Sequence, residues 1–196
     1  MRCFTAVLLP EATRAAIAGA MRTLDRHFHD AKIPSPRWER EENLHCTLNF
    51  FGETNEALIA RFLPAAQSAL RSIDPPELDI RELGTFPNAH RPRILWIGVH
   101  DASQRILAAQ QALDAIAGDL GMHHEEGRAF HPHITIGRWK KPPSRHGDAL
   151  APILEGEYAF GLLTIPSIAL MKSVTREGGS VYSVEGDLGM RAVASL

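Results

Sequence analysis

Apolar and polar positions recur with two periods along this chain, and together they lay out its elements. The opening run Arg2-Cys3-Phe4-Thr5-Ala6-Val7-Leu8-Leu9 reads as a first strand, closed by Pro10. Ile17, Ala20, Met21, Leu24 and Phe28 then return at helical spacing, with Pro10 and Glu11 suited to the helix start. A polar loop, Ile33-Pro34-Ser35-Pro36-Arg37-Trp38, leads to a strand over 44–51, whose alternation puts His45, Thr47 and Asn49 on one face. Gly52 and Asn55 suit the turn after it. Leu58, Ile59, Phe62, Leu63, Ala66 and Leu70 make a second amphipathic helix, with Pro64 as a kink and Asp74-Pro75-Pro76 as the stop. Residues 78–86 read as another strand.

From Arg93 the order restarts. Residues 94–99 form a buried strand, and Ser103 caps a helix through Ile106, Leu107, Leu113, Ile116 and Leu120 that ends at Gly121. A strand beginning at His133 follows. From Phe4 to His45 is 41 positions and from Ile94 to His133 is 39, so a unit of strand, helix, loop and His-x-Thr strand occurs twice, in repeats of about 1–90 and 91–196. Strands over 158–165, 168–174 and 181–184 complete the chain, the last two joined by a hairpin at Gly178-Gly179. These elements predict an α+β class: one bilobal domain spanning 1–196, two antiparallel sheets with outer helices, a central cleft, and strands free to exchange between lobes.

Composition narrows the setting. With 44% hydrophobic and 22% charged residues, the chain is ordinary for a soluble globular protein. No apolar run approaches the roughly 18 residues of a membrane span, and the first ten residues lack a signal peptide's length and cleavage site. Cys3 and Cys46 both fall in apolar strand patterns, so buried free thiols and cytoplasmic residence are expected, not a disulfide framework. A net charge of −2 excludes a protein that coats nucleic acid by bulk electrostatics. Positive charge is local: Arg128, Arg138, Lys140, Lys141 and Arg145 occur with no acid between Arg128 and Arg145. A solvated basic loop and a phosphate-attracting patch both fit that run, and proximity to His133 favours the second for Arg138.

The chemistry is concentrated in two matching segments, His45-Cys46-Thr47-Leu48 and His133-Ile134-Thr135-Ile136. Of ten histidines, these two alone have Ser or Thr two positions on, where a strand puts both side chains on one face. One copy would read as the polar face of a half-exposed strand. Two copies point to a site with paired imidazoles. In-line attack on a phosphodiester needs one group to take a proton from the entering oxygen and another to give one to the departing oxygen. Histidine serves either role near neutral pH. Thr47 and Thr135 hydroxyls and the Arg138 guanidinium would bind the non-bridging oxygens, with Gly137 supplying the bulge that Arg138 needs to reach the histidine face.

The chain resembles the two-histidine phosphoesterase superfamily and, within it, the RNA 2′,3′-cyclic phosphodiesterases also called 2′-5′ RNA ligases. The matching stretches are 2–10, Glu42-Asn43-Leu44-His45-Cys46-Thr47-Leu48 with Phe51-Gly52-Glu53, Pro92-Arg93-Ile94-Leu95-Trp96-Ile97-Gly98-Val99, and Arg128-Ala129-Phe130-His131-Pro132-His133-Ile134-Thr135-Ile136-Gly137-Arg138. The resemblance implies a duplicated fold in which His45 and Thr47 face His133 and Thr135 across a cleft. It implies hydrolysis of an RNA-terminal 2′,3′-cyclic phosphate, or a small cyclic nucleotide, to a 2′-phosphomonoester without metal or other cofactor, and 2′-5′ ligation in reverse. Arg128 and His131 are further candidates for substrate contact, and a monomer is expected. The family often has proline at the position of Ala129 and arginine at that of His131. His131 either takes over phosphate contact when protonated or, if Pro132 ends the strand, is a surface residue.

Other classes fit less well. The cluster Met122-His123-His124-Glu125-Glu126 has no common zinc spacing. A non-catalytic RNA-end or nucleotide-binding module would have lost one histidine while keeping its basic and aromatic residues. No glycine-rich nucleotide loop or Gly-x-Ser-x-Gly elbow occurs. Other cyclic or 2′-5′ nucleotides remain within reach of the same side chains. Phe51, Phe86 and Phe130 read as core before base-stacking platforms.

Overall fold

A computed structural model of the chain describes residues 1–122, 129–143, 146–176 and 179–191. The first strand, β1 (Arg2–Leu8), runs into α1 (Glu11–Asp30), which buries Ile17, Met21, Leu24 and Phe28. The polar loop then yields a two-residue strand, β2 (Arg37–Trp38), and a 3-10 turn at Glu41–Asn43. β3 (His45–Glu53) and α2 (Glu56–Leu70) follow, and the Asn55 side chain caps α2 by accepting from the Leu58 N–H at 2.9 Å. β4 (Glu77–Phe86), β5 (Ile94–His100) and α3 (Arg105–Asp119) come next. α3 closes as expected: Gly121, at φ 69°, bonds to Gly118, and Met122 to Ala117. Its start differs, because Asp101 and not Ser103 accepts from the Ile106 N–H, at 2.7 Å.

The second motif strand is β6 (His133–Arg138). An eight-residue helix, α4 (Gly147–Leu154), lies where no helix was expected, and β7 (Ala159–Thr164), β8 (Ser167–Arg176) and β9 (Gly179–Gly189) finish the fold. Among the described residues no helix is long and apolar enough to cross a membrane.

Among the described residues eight strands form one antiparallel path, β7-β4-β5-β6-β3-β1-β8-β9, and β2 joins the same sheet on β6. The two sheets read from sequence are its halves, β7-β4-β5-β6 and β3-β1-β8-β9. Among the described residues their strands pair only at Cys46 and Ile134. Beyond that pair β3 and β6 part, and β2 fills the place beside β6, with Arg37 opposite Arg138 and Trp38 opposite Gly137. Connectivity crosses the middle: β4 pairs with β5, and β8 pairs with β1. α2 packs on α3, α3 on β3, and α1 and α4 on each other and on the half-sheet β7-β4-β5-β6.

The main core is continuous across the two halves, from Cys3 and Phe51 through Cys46 and Ile134 to Leu95 and Ile97. Burying these side chains is the dominant favourable term, at roughly 1.5–3 kcal/mol each. Cys3 and Cys46 are buried free thiols, and burial pushes the Cys46 thiol up to about 12, which makes it inert as a nucleophile near neutral pH.

Candidate active site

The seam between the halves is also where the two motifs meet. Cys46 and Ile134 point into the core at 0% exposure, so the residues on either side of them project to the opposite face, into a cleft. Antiparallel pairing about Cys46 and Ile134 turns His45 toward Thr135 and Thr47 toward His133. All four side chains line one hollow of about 190 Å³, together with Arg138, Glu39, Asn43, Phe4, Phe50 and Tyr182.

Each imidazole is held in the same way. His45 Nδ1 lies 2.6 Å from the carbonyl oxygen of Asn43, and His133 Nδ1 lies 2.7 Å from that of His131. A carbonyl only accepts, so Nδ1 carries the proton in both rings, and Nε2 is the reactive nitrogen. In neutral His45, Nε2 then accepts from the Thr47 hydroxyl at 3.0 Å. Aromatic rings wall both imidazoles. Phe4 and Tyr182 stand 5.0 and 5.3 Å from His45, and Phe86 stands 5.0 Å from His133. Burial holds the His45 pKa below the usual imidazole value, opposed by its bond to Asn43 and the Glu39 charge and assisted by Arg138.

Asn43 links this geometry to β9, the outer strand of the half-sheet that carries His45. The 3-10 turn presents its carbonyl to His45, and its side chain donates to the Ser180 carbonyl on β9 at 3.1 Å. Sequence reading missed this brace, because the bond uses a backbone atom that no motif records.

Arg138 reaches the cleft by a bulge, one residue earlier than expected. Leu95 faces Gly137 and Trp96 faces Thr135, which leaves Ile136 unmatched on β5. The Ile136 carbonyl instead accepts from the Glu39 N–H at 2.9 Å, and the extra residue restores Arg138 to the histidine side. Gly137 has a different task. A Cβ there would lie 2.7 Å from Pro36 Cγ, so glycine lets the loop before β2 approach. The Glu39 carboxylate then meets Arg138 Nε at 3.2 Å. Glu39 carries no signal in the sequence, where it is one of three acids close together in a polar stretch, with Glu41 and Glu42.

One expected face-mate goes elsewhere. Between Thr5 and Ala6 the β1–β3 register skips Leu48, so Asn49 leaves the side of His45 and Thr47. It is buried instead, accepting from Thr5 Oγ1 at 3.1 Å and donating to the Gln110 carbonyl at 3.2 Å and to Asp114 at 3.3 Å on α3.

A second hollow of about 480 Å³ shares Thr47, Phe50, His133, Thr135 and Arg138 with the first and extends toward Phe86, Phe130, His131 and Asp114. His131 precedes β6 and is exposed, yet it lines this hollow with Arg138, its ring packing edge-on to Trp96 at 4.9 Å and Phe86 at 5.5 Å. Of the three phenylalanines read as core, Phe51 is fully buried, whereas Phe86 and Phe130 line this hollow. Arg128, Arg145, Gly178 and the cluster from His123 to Glu126 lie outside the described residues.

Comparison with known proteins places these features in a group. Residues 10–177 match the family model described as the 2′-5′ RNA ligase superfamily. The chain is 32% identical, over 93% of its length and 95% of the relative's, to the RNA 2′,3′-cyclic phosphodiesterase of Methanothermobacter thermautotrophicus. The crystal structure of TT0787 from Thermus thermophilus superposes with a TM-score of 0.79 at 27% identity, covering 97% of this chain and 98% of that one. E. coli LigT complexed with 3′-AMP has a similar fold, with a TM-score of 0.77 at 21% identity over 96% of this chain and 97% of that one.

Proposed function

The chain belongs to the 2′-5′ RNA ligase superfamily, and from that premise we propose that it is an RNA 2′,3′-cyclic phosphodiesterase that opens the terminal ring to a 2′-phosphomonoester. The cyclic phosphodiesterase class is supported by relatives that bear that name at up to 32% identity over more than nine-tenths of the chain. The mechanism is supported by one observation above all: two imidazoles with Nδ1 protonated, which assigns proton transfer to Nε2, come from adjacent strands and line a single cleft with their threonines.

In this mechanism His45, kept neutral near pH 7 by its burial, takes a proton from water through Nε2 as the water oxygen attacks phosphorus. The P–O3′ bond breaks, and O3′ receives a proton from His133, leaving a 2′-phosphate and a free 3′-hydroxyl. Once His45 is protonated, its Nε2–H donates to Thr47 Oγ1. The Thr47 O–H is then released to a non-bridging oxygen as charge builds there. Thr135 and Arg138 bind the same oxygens from the other strand. No metal enters these steps. The reverse sequence would join a cyclic phosphate end to a 5′-hydroxyl through a 2′-5′ bond.

The second hollow, rimmed by Phe86, Phe130 and His131, has room and aromatic surface for the terminal nucleoside. Under the same reading the chain is a cytoplasmic monomer, a single duplicated domain in which β5 and β6 repeat β1 and β3. The like bonding of His45 and His133 to carbonyls two residues upstream supports that duplication. The test is incubation, in EDTA, with an oligoribonucleotide ending in 2′,3′-cyclic phosphate. The expected product is the 2′-phosphate. A 3′-phosphate, or an unopened ring, would overturn the reading.

A further inference from the structure

Glu39 puts a carboxylate inside a cleft whose other features favour an anion. It lines the same hollow as His45, His133 and Arg138, and its side chain is only 19% exposed. Its place is built in two ways: the backbone N–H is tied to the Ile136 carbonyl at the β6 bulge, and the carboxylate touches Arg138 Nε at 3.2 Å. The contact is one-pronged, and among the described residues the terminal nitrogens of Arg138 have no hydrogen-bond partner, so they stay open to a ligand. Glu39 thus steers the guanidinium without occupying its binding edge, and at the same time it offsets the guanidinium's charge.

That offset has a chemical meaning for the reaction proposed above, on which this inference rests. A cyclic phosphodiester carries one negative charge, and its hydrolysis product carries nearly two at pH 8, the second phosphate pKa being about 6. At that pH the Glu39 carboxylate offsets the Arg138 guanidinium beside it and repels any anion bound in the same hollow, about twice as strongly for a dianion as for a monoanion. We propose that Glu39 is a specificity-determining residue that makes the site prefer singly charged phosphodiesters over doubly charged phosphomonoesters, and so hastens release of the product.

The test compares two ligands that do not turn over, 3′-deoxyadenosine 2′-phosphate and its methyl diester, by calorimetry at pH 8 against the wild-type protein and Glu39→Gln. The glutamine keeps an oxygen for Arg138 Nε and removes the charge, and Glu39→Ala serves as the second variant if the first does not fold. The expected result is about tenfold tighter binding of the monoester to Glu39→Gln with no more than a threefold change for the diester, and stronger product inhibition of the variant's turnover. Equal changes for both ligands would overturn the proposal, as would weaker monoester binding, which would make Glu39 a holder of Arg138 alone. Because the binding arm needs no turnover, it can succeed even if the cyclic phosphate is not a substrate, and it can fail even if it is.

Discussion

The Thr47 hydroxyl lies 3.0 Å from Nε2 of His45, on the nitrogen left reactive by the bond from Nδ1 to the Asn43 carbonyl. This pairing ties the threonine to the protonation state of the imidazole. Thr47→Val should therefore lower kcat for a 2′,3′-cyclic nucleotide by about 10²–10³-fold, the size of one lost transition-state hydrogen bond, and also displace the acid limb of the rate profile. Thr135→Val should lower kcat by a similar factor. An unchanged rate in either would make that hydroxyl structural.

His45→Ala and His133→Ala should each cut kcat by at least about 10³-fold, because each removes a proton-transfer group. Both rings face the cleft and neither is part of the main core, so thermal midpoints should move little. Turnover measured beside thermal unfolding separates the two effects. Retained activity in either variant would discard the paired-imidazole mechanism.

The lowered pKa of His45 makes a pH prediction with a definite sign. Burial favours the neutral ring, so the unfolded chain binds more protons than the folded one between the folded value and the ordinary value of about 6.5. The stability contribution is therefore complete above about pH 6.5 and is lost as pH falls through the folded value. Denaturant unfolding from pH 8 to pH 5 should show this loss, and His45→Asn should flatten it. The kcat/KM profile should be bell-shaped with its acid limb below about 6.5. An acid limb above that value would assign the neutral role elsewhere.

Asn49→Ala should cost about 1–3 kcal/mol, because it strands the hydroxyl of Thr5, a residue with 0% exposure, and releases α3 from β3. The shift in denaturation midpoint reads this directly. Gly137→Ala should cost a similar amount and also reduce activity, since its Cβ would meet Pro36 at 2.7 Å and push away the segment that carries Glu39. A fully active Gly137→Ala would mean that this loop can yield.

The four motif residues were legible because a strand has a strict period of two, and both His-x-Thr pairs obey it. The same rule failed at Asn49 and Arg138, each just beyond a bulge at Leu48 or Ile136. A bulge is an agreement between two strands, and one strand's sequence does not record it. Local signals also fell short for α4, whose eight residues contain Pro152, and for β2, whose two residues are too short to show a period. At α3 the sequence points to the Ser103 hydroxyl, the nearer cap, whereas the carboxylate of Asp101 reaches across the turn to the Ile106 N–H. The Nδ1 acceptors at Asn43 and His131 were beyond reach for a simpler reason: every residue has a carbonyl.

The half-sheets touch along a line one residue pair wide, at Cys46 and Ile134, and the reactive groups sit directly above it. Any flexing of one half against the other therefore changes the imidazole spacing at its source, with no long lever between cause and effect. A phosphate seated there would act as a rivet through both plates, stiffening the molecule at the very spot where it is being transformed.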